Sequence, residues 1–236
     1  MDETVKILPA QPETIYRYER KFLVDQLDTH QVRAMVKRHP AMFTTPYPPR
    51  YVNNIYFDTK DMANYHENVS GVKDRRKARI RWYGDLFGQI SNPVIELKIK
   101  SGLVGTKEQH PSDPFMLDEN FTDHYFKNML HSSNLPAQLK YFLRDMDPVL
   151  VNRYYRWYFA SVDGIFRVTI DTEMTFHKIN PLKNNFLFRQ FDYNNIVVEL
   201  KYGAEYDPQA QKISTFFPFS VTKSSKYVQG IERVYL

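Results

Sequence analysis

Charged side chains occupy alternate positions in several segments of this sequence, and most positions between them are apolar. In the segment 75–82, RRKARIRW, all four odd positions are Lys or Arg, whereas positions 78, 80 and 82 are Ala, Ile and Trp. The segments 17–21, 95–100, 167–171 and 198–201 also place charged residues at alternate positions. Because successive side chains of a β-strand point to opposite faces, each segment predicts a strand with one charged and one apolar face.

Two arrangements of such strands are open. Taken singly, each charged face fits the solvent side of an open sheet. Taken together, the strands favour a closed barrel whose charged faces point inward and whose apolar faces lie beneath helices. Inward rows of Lys and Arg repel one another unless an anion lies between them, and a phosphate chain can accept charge-assisted hydrogen bonds from all of them. Glutamates among these bases can hold Mg²⁺ or Mn²⁺ against phosphate oxygens.

The same period predicts eight strands and a short ninth at the C-terminal end. Their ranges are Ile15–Val24, Tyr51–Asp58, Arg76–Gly84, Pro93–Lys100, Val149–Phe159, Ile165–Thr172, Phe186–Gln190, Ile196–Tyr202 and Gly230–Tyr235. Helices are predicted to begin near Asp28, Thr59, Pro136 and Asp207, where capping residues or Pro precede apolar residues at helical spacing. The strands come in runs, so the fold class is α+β with a closed, antiparallel, eight-stranded barrel and helices packed outside.

Composition narrows the possible domain organisation, cofactors and partners of the protein. No internal linker divides the chain, which predicts one domain over residues 14–236 after a loose polar tail at residues 1–13. The absence of cysteine excludes disulfides and thiolate metal sites, and the seven His residues show no ligand spacing. No apolar run approaches the roughly 20 residues that a membrane span needs, so we expect a cytoplasmic protein. The net charge of +5 indicates an anionic partner.

A set of motifs in a fixed order resembles the CYTH-type triphosphate tunnel enzymes. The motifs are IYFDT (55–59), KARIRWYG (77–84), IELK (95–98), YYR (154–156), RVTID (167–171), VELK (198–201) and KSSK (223–226). The first strand of these enzymes usually carries Glu-x-Glu-x-Lys. Here Arg17 stands at the first Glu and is followed by Glu19 and Lys21. With this departure, the first-strand motif resembles that of the VTC (vacuolar transporter chaperone) branch, whose catalytic domain polymerises polyphosphate.

The resemblance implies an eight-stranded tunnel that transfers the γ-phosphate of ATP to a growing inorganic polyphosphate chain with the help of Mn²⁺ or Mg²⁺. It implies a catalytic set that holds the phosphates, which comprises Lys21, Arg79, Arg81, Lys98, Arg156 and Arg167. Further phosphate-binding positions are Lys107, Tyr154, Lys201, Lys223, Ser225 and Lys226. The metal carboxylate is Glu199, with Glu19 and Glu96 as helpers.

Three other functions remain open from the sequence. Water in place of the phosphate acceptor would make the protein a triphosphatase that acts on tripolyphosphate or nucleoside triphosphates. A module that binds polyphosphate without chemistry is a second alternative, although Glu199 would add nothing to it. Binding of single-stranded nucleic acid is the third, and the acids among the bases count against it, because they would repel the backbone. The resemblance implies ATP and polyphosphate as partners, and we expect no binding of nucleic acid.

Overall fold

The computed structural model describes residues 17–102 and 104–236, so the predicted tail at residues 1–13 lies outside the described residues. The strands are β1 (Arg17–Val24), β2 (Arg50–Asp58), β3 (Arg75–Tyr83), β4 (Gly88–Ile90), β5 (Val94–Ser101), β6 (Val104–Pro111), β7 (Phe115–Leu117), β8 (Asp147–Ala160), β9 (Arg167–Lys178), β10 (Arg189–Asp192) and β11 (Ile196–Gly203). The helices are α1 (Thr29–Lys37), α2 (Ala63–Ser70), α3 (Asp123–Ser132), α4 (Ala137–Leu143), α5 (Asp207–Thr215) and α6 (Lys226–Tyr235).

Eight antiparallel strands close into a barrel. Their order is β9-β11-β1-β6-β5-β3-β2-β8, and β8 pairs with β9 to complete the ring. β10 extends the sheet from β9 outside the ring, and β4 pairs with β7 in a separate two-stranded sheet. The predicted fold class is confirmed, because the barrel is closed and helices cover its outer surface.

The junction between β1 and β6 is the weakest part of the ring. Within the described residues, the two strands pair at the single position Arg17–Gly105. The segment 221–225 fills the remaining gap along β1, where the Thr222 amide donates to the Lys21 carbonyl at 2.8 Å. The amide of Leu23 donates in turn to the Thr222 hydroxyl at 3.1 Å. The chain that follows α5 therefore crosses this gap before it enters α6.

Apolar faces of the barrel strands pack in two outer clusters. Ala78, Ile80 and Trp82 of β3 lie in a cluster that includes Phe126 of α3 and Leu139 of α4. On the other side, residues of β9 and β11 pack with α1 and α5; examples are Val168, Ile170, Val198, Val36 and Ala210. Burial of the apolar faces leaves the charged faces for the interior, as the alternation predicted.

Helix α6 covers one end of the barrel. Its residues Tyr227, Ile231 and Val234 join an apolar cluster with Leu150 and Phe176, and this cluster closes that end of the lumen. The predicted strand Gly230–Tyr235 is therefore wrong, because the segment is the second half of α6. Ser225 caps the helix, and its side chain accepts a hydrogen bond from the Val228 amide. Gly230 is required here, because a Cβ atom would collide with the side chains of Leu150 and Phe176.

Other differences are local. β6, which contains Lys107, and α3 were not predicted. β9 continues to Lys178 beyond the predicted end at Thr172, because residues 174–178 pair with β8 and β10 after an irregularity at Glu173, whose φ is 52°. β10 begins at Arg189, three residues later than predicted. The four predicted helices are present as α1, α2, α4 and α5, and Asp28 forms a complete capping box with Gln31.

Candidate functional site

The barrel encloses a row of basic side chains. Strand register and contacts place nine of them in or around the lumen: Lys21, Lys77, Arg79, Arg81, Lys98, Lys107, Arg156, Lys201 and Lys226. Four carboxylates lie among them: Glu19, Glu96, Asp171 and Glu199. The bases therefore outnumber the acids, and this surplus favours an anionic partner.

The Glu96 carboxylate holds one group of these bases together. Glu96 is 1% exposed, and its Oε2 accepts from Arg79 Nη2 at 2.6 Å and Nε at 2.7 Å. Its Oε1 accepts from Lys107 Nζ at 3.0 Å and Gln109 Nε2 at 2.9 Å, with Arg81 Nη1 at 3.6 Å. Burial raises the pKa of Glu96, but the charges of Arg79, Arg81 and Lys107 outweigh it and keep the carboxyl ionised. Arg79 and Arg81 are thereby held side by side.

A second group surrounds the buried pair Asp171 and Glu199. Asp171 accepts from Arg156 Nε at 2.5 Å and Nη2 at 2.6 Å, and Lys226 Nζ lies 2.5 Å from its Oδ2. Glu199 contacts Lys201 Nζ at 2.6 Å, Lys226 Nζ at 3.2 Å and Arg156 Nη2 at 3.5 Å. Although burial raises the pKa of Glu199, these cations hold it well below its ordinary range. The group is a network of alternating charges that fixes Arg156 and Lys226 in the lumen.

Glu19 joins the two sides of the barrel. Its Oε1 lies 3.1 Å from Lys21 Nζ, and its Oε2 lies 3.2 Å from Lys98 Nζ. Lys21 Nζ also lies 3.7 Å from Glu199 Oε1 and donates to the Ser224 carbonyl at 2.9 Å. Burial and the charge of Glu199 raise the pKa of Glu19, but Lys21 and Lys98 lower it far below its ordinary value. The predicted residues of β1 and β5 therefore meet across the gap between β1 and β6.

Tyr154 lies against the arginines. It is 1% exposed, and its hydroxyl oxygen accepts from Arg81 Nη2 at 3.2 Å. The Arg156 guanidinium lies 5.0 Å from the centre of its ring. Burial raises the pKa of Tyr154, but the nearby Arg156 and Arg81 outweigh this effect and lower it. The phosphate-binding role of Tyr154 remains a prediction.

Three predicted residues lie at the edge of this arrangement. Arg167 is exposed at the start of β9, where it pairs in register with Lys201. Lys223 is exposed in the segment that fills the gap next to β1. Ser225 caps α6 and accepts from Asn68 Nδ2 at 2.9 Å, so its hydroxyl is engaged in local structure. Their phosphate-binding roles remain predictions.

The sequence left Asp171, Lys77 and Gln109 without roles. Alternation had placed Asp171 and Lys77 on charged strand faces, but nothing in their own segments showed that Asp171 pairs with Arg156. Lys77 sits on the lumen face of β3, 5.5 Å from the centre of the Tyr227 ring. Burial and the neighbouring Arg75, Lys21 and Lys98 lower its pKa to about 6. Gln109 was missed because β6 was not recognised as a strand.

The carboxylates fit a divalent cation only with help from a substrate. In residues 17–102 and 104–236, no three His, Asp or Glu side chains form a group that could hold a metal. Mg²⁺ commonly takes one or two carboxylates and completes its octahedron with substrate phosphates and water. Glu19 and Glu199 both approach Lys21 Nζ, at 3.1 and 3.7 Å, so the two carboxylates lie near each other. The oxygens of Glu96 and of Glu199 are both engaged by cations, so a metal at either carboxylate would have to displace some of these contacts.

A closed antiparallel barrel with a basic lumen and buried acids defines a triphosphate tunnel protein. A solved structure from Vibrio parahaemolyticus, provisionally designated an adenylate cyclase, aligns with 12% identity and a TM-score of 0.51 over 92% of this chain and 99% of that one. A provisionally designated adenylyl cyclase from Hippeastrum, described as having a dominant triphosphatase activity, aligns with 13% identity and a TM-score of 0.49 over 94% of this chain and 97% of that one. A protein from Pyrococcus horikoshii aligns with 13% identity and a TM-score of 0.44 over 92% of this chain and 98% of that one. At 12% identity, the likeness to the first of these structures shows the fold alone.

The sequence profile of the VTC domain matches residues 16–235. The chain therefore belongs to the VTC domain family, as its ordered motifs predicted. No curated protein matches the sequence. Among the helices that the structure describes, none combines the length and apolarity needed to cross a membrane.

Proposed function

We propose that this protein is a polyphosphate polymerase that transfers the γ-phosphate of ATP to a growing polyphosphate chain. The observation that carries the proposal is the length of the basic lining. Lys77 and Arg81 are four residues apart on one face of β3, which is about 13 Å along the strand. Basic residues thus continue past the arginines around Glu96 to Lys77 and Lys98. With a donor triphosphate on the arginines, Lys77 and Lys98 would be left to bind a phosphate acceptor.

Arg79, Arg81 and Arg156 would hold the donor triphosphate. Glu96 and Asp171 fix their guanidinium groups, so their donors are aimed before the substrate enters. Phosphoryl transfer requires alignment and positive charge more than covalent chemistry from the protein. A terminal oxygen of the acceptor would form the new bond to the γ-phosphorus, the bond from that phosphorus to the bridging oxygen would break, and ADP would leave. This acceptor oxygen is largely ionised at neutral pH, so no general base is required.

Glu199, with Glu19, would hold the divalent cation. When bound, the cation would neutralise charge on the phosphate oxygens and orient them. Lys201 and Lys226 contact Glu199 in the structure, and in this proposal both would move onto phosphate oxygens when a chain fills the tunnel. Glu96 has a different role in this proposal, because it positions Arg79 and Arg81 rather than the metal.

Product analysis tests the proposal. The purified protein is incubated with ATP, Mn²⁺ and a short polyphosphate primer, and polymer length on a gel is compared with orthophosphate in solution. We expect the polymer to lengthen and one ADP to be released for each phosphate that is transferred. Orthophosphate without polymer would identify a triphosphatase, and binding without either product would identify a binding module.

Arg81→Ala is the informative variant, because Glu96 keeps Arg79 and Lys107 as partners. Its melting temperature is compared with that of wild type to separate loss of the site from loss of the fold. Loss of one preorganised donor typically lowers turnover by about 100-fold or more. Arg144→Ala is the matched control, because Arg144 pairs with Asp145 on the exposed surface. Equal turnover in the two variants would show that Arg81 is not part of the site.

A further inference from the structure

Aromatic side chains and an arginine form a collar at the end of the barrel opposite α6. The collar consists of Arg50, Tyr83 and Tyr158, with Tyr47 beside them. The Arg50 guanidinium lies 4.1 Å from the centre of the Tyr83 ring and 5.3 Å from that of Tyr158. The rings of Tyr47 and Tyr158 meet edge to face at 5.9 Å. Tyr83 is 49% exposed and Tyr47 is 59% exposed, so these rings are not core packing.

The collar continues the lumen directly beyond the donor arginines. Arg50 and Arg156 are partners in the register between β2 and β8. Tyr158 lies two residues beyond Arg156, and Tyr83 lies two residues beyond Arg81 on β3. Two residues of a strand span about 7 Å and return to the same face. A group attached to a triphosphate held by Arg81 and Arg156 would therefore reach the collar.

A surface cleft that Trp82 and Ile90 also line borders Tyr83 and adds polar groups beside it. Its volume is about 370 Å³, and Tyr83, Asp85, Gln89 and Asn92 are among its lining residues. This volume falls at the lower end of the range for small-molecule sites, roughly 300–1,000 Å³. The carboxylate and the two amides can accept and donate hydrogen bonds to base edges or hydroxyl groups. Tyr83 belongs to both the collar and the cleft.

We infer that the collar binds the nucleobase of the donor nucleoside triphosphate by stacking. A phosphate chain gains little from the face of a tyrosine ring, because that face is electron-rich, whereas a planar base stacks on tyrosine and on a guanidinium plane. This inference rests on the proposed function, since it names how a nucleotide is distinguished from inorganic phosphate chains. The phosphates are held by the arginines inside the barrel, and the base is held at its rim.

Binding of ATP and of tripolyphosphate, measured by calorimetry without divalent metal, tests the inference. Tyr83→Ala should weaken ATP binding about tenfold, the size of one lost base–aromatic stack, and change tripolyphosphate binding less than twofold. Tyr83→Phe should restore ATP binding, because the ring and not the hydroxyl provides the contact. Tyr141→Ala is the matched control, since this exposed Tyr on α4 also lies beside an arginine, Arg144, at 4.7 Å. It should change neither affinity.

The outcomes separate the collar from the proposed function. Suppose that tripolyphosphate binds, and that ATP binds to Tyr83→Ala as tightly as to wild type. The collar then does not hold the base, but the binding of phosphates in the tunnel is still supported. Equal weakening of both ligands would make Tyr83 a support of the tunnel and overturn the inference. If wild type binds neither ligand, the proposed function itself fails.

Discussion

Lys77 provides a sensitive test of the tunnel, because its charge should depend on whether a polyanion is bound. Within the described residues, it forms no ion pair with a carboxylate. Burial lowers its pKa to about 6, with contributions from Arg75, Lys21 and Lys98, whereas Asp58 acts weakly in the opposite direction. The only aromatic group near its ammonium in the described part of the chain is Tyr227 of α6. A phosphate chain in the lumen would supply the missing negative charge.

The size of the effect follows from the pKa. With a pKa of about 6, roughly one tenth of the free protein carries a proton on Lys77 at pH 7. A bound polyphosphate would return this pKa towards its ordinary value of about 10.4, so binding should take up about 0.9 proton at Lys77. Since binding takes up a proton, affinity must fall as pH rises. Between about pH 6 and the pKa of the bound state, the fall from this residue approaches tenfold per pH unit.

Calorimetric titration of tripolyphosphate at pH 7 measures this uptake. The binding enthalpy is compared in two phosphate-free buffers with different ionisation enthalpies, and the slope gives the number of protons taken up. Tripolyphosphate itself titrates, so the informative quantity is the difference between wild type and Lys77→Met, which should be about one proton. Lys37→Met on the exposed surface of α1 is the control and should match wild type. The same proton uptake in wild type and Lys77→Met would refute the reasoning.

Three further results are expected. Arg156→Ala should lower the free energy of unfolding by about 3–5 kcal/mol in urea titrations, because it leaves the fully buried Asp171 with Lys226 as its remaining cation; a loss below about 1 kcal/mol would contradict the buried pair. Glu199→Gln should abolish Mn²⁺-dependent turnover while tripolyphosphate binding survives, and full turnover would exclude Glu199 as the metal carboxylate. Tripolyphosphate at 100 times its dissociation constant should add about 2.7 kcal/mol of stability in thermal melts, and the gain should shrink with salt; a salt-independent gain would argue against an ionic site.

Much of the barrel was predictable because its strongest signal is local. Alternation along a strand depends only on the pleat, so the segment 75–82 shows its two faces without reference to the rest of the chain. The need to bury Ile80 and Trp82 then fixes which face is inside the protein and which borders the lumen. Order and spacing of the motifs predicted the family, and the match over residues 16–235 confirmed it.

Other features were decided by contacts between distant residues. Residues 230–235 fit a short strand by pattern, but the Ser225 cap and burial against Leu150 and Phe176 make them a helix. The gap between β1 and β6 depends on how the closed ring is staggered, and this stagger brings Glu19 to Lys98.

The sequence by itself determined which side chains share a strand face, and through them the basic character of the lumen. The tertiary structure alone decided which acid pairs with which base. It placed Glu96 among arginines and left Lys77 without an ion pair in the part of the chain that the structure describes. The physical reason is range: the pleat of a strand repeats every two residues, whereas an ion pair across a barrel depends on the position of every strand between its partners.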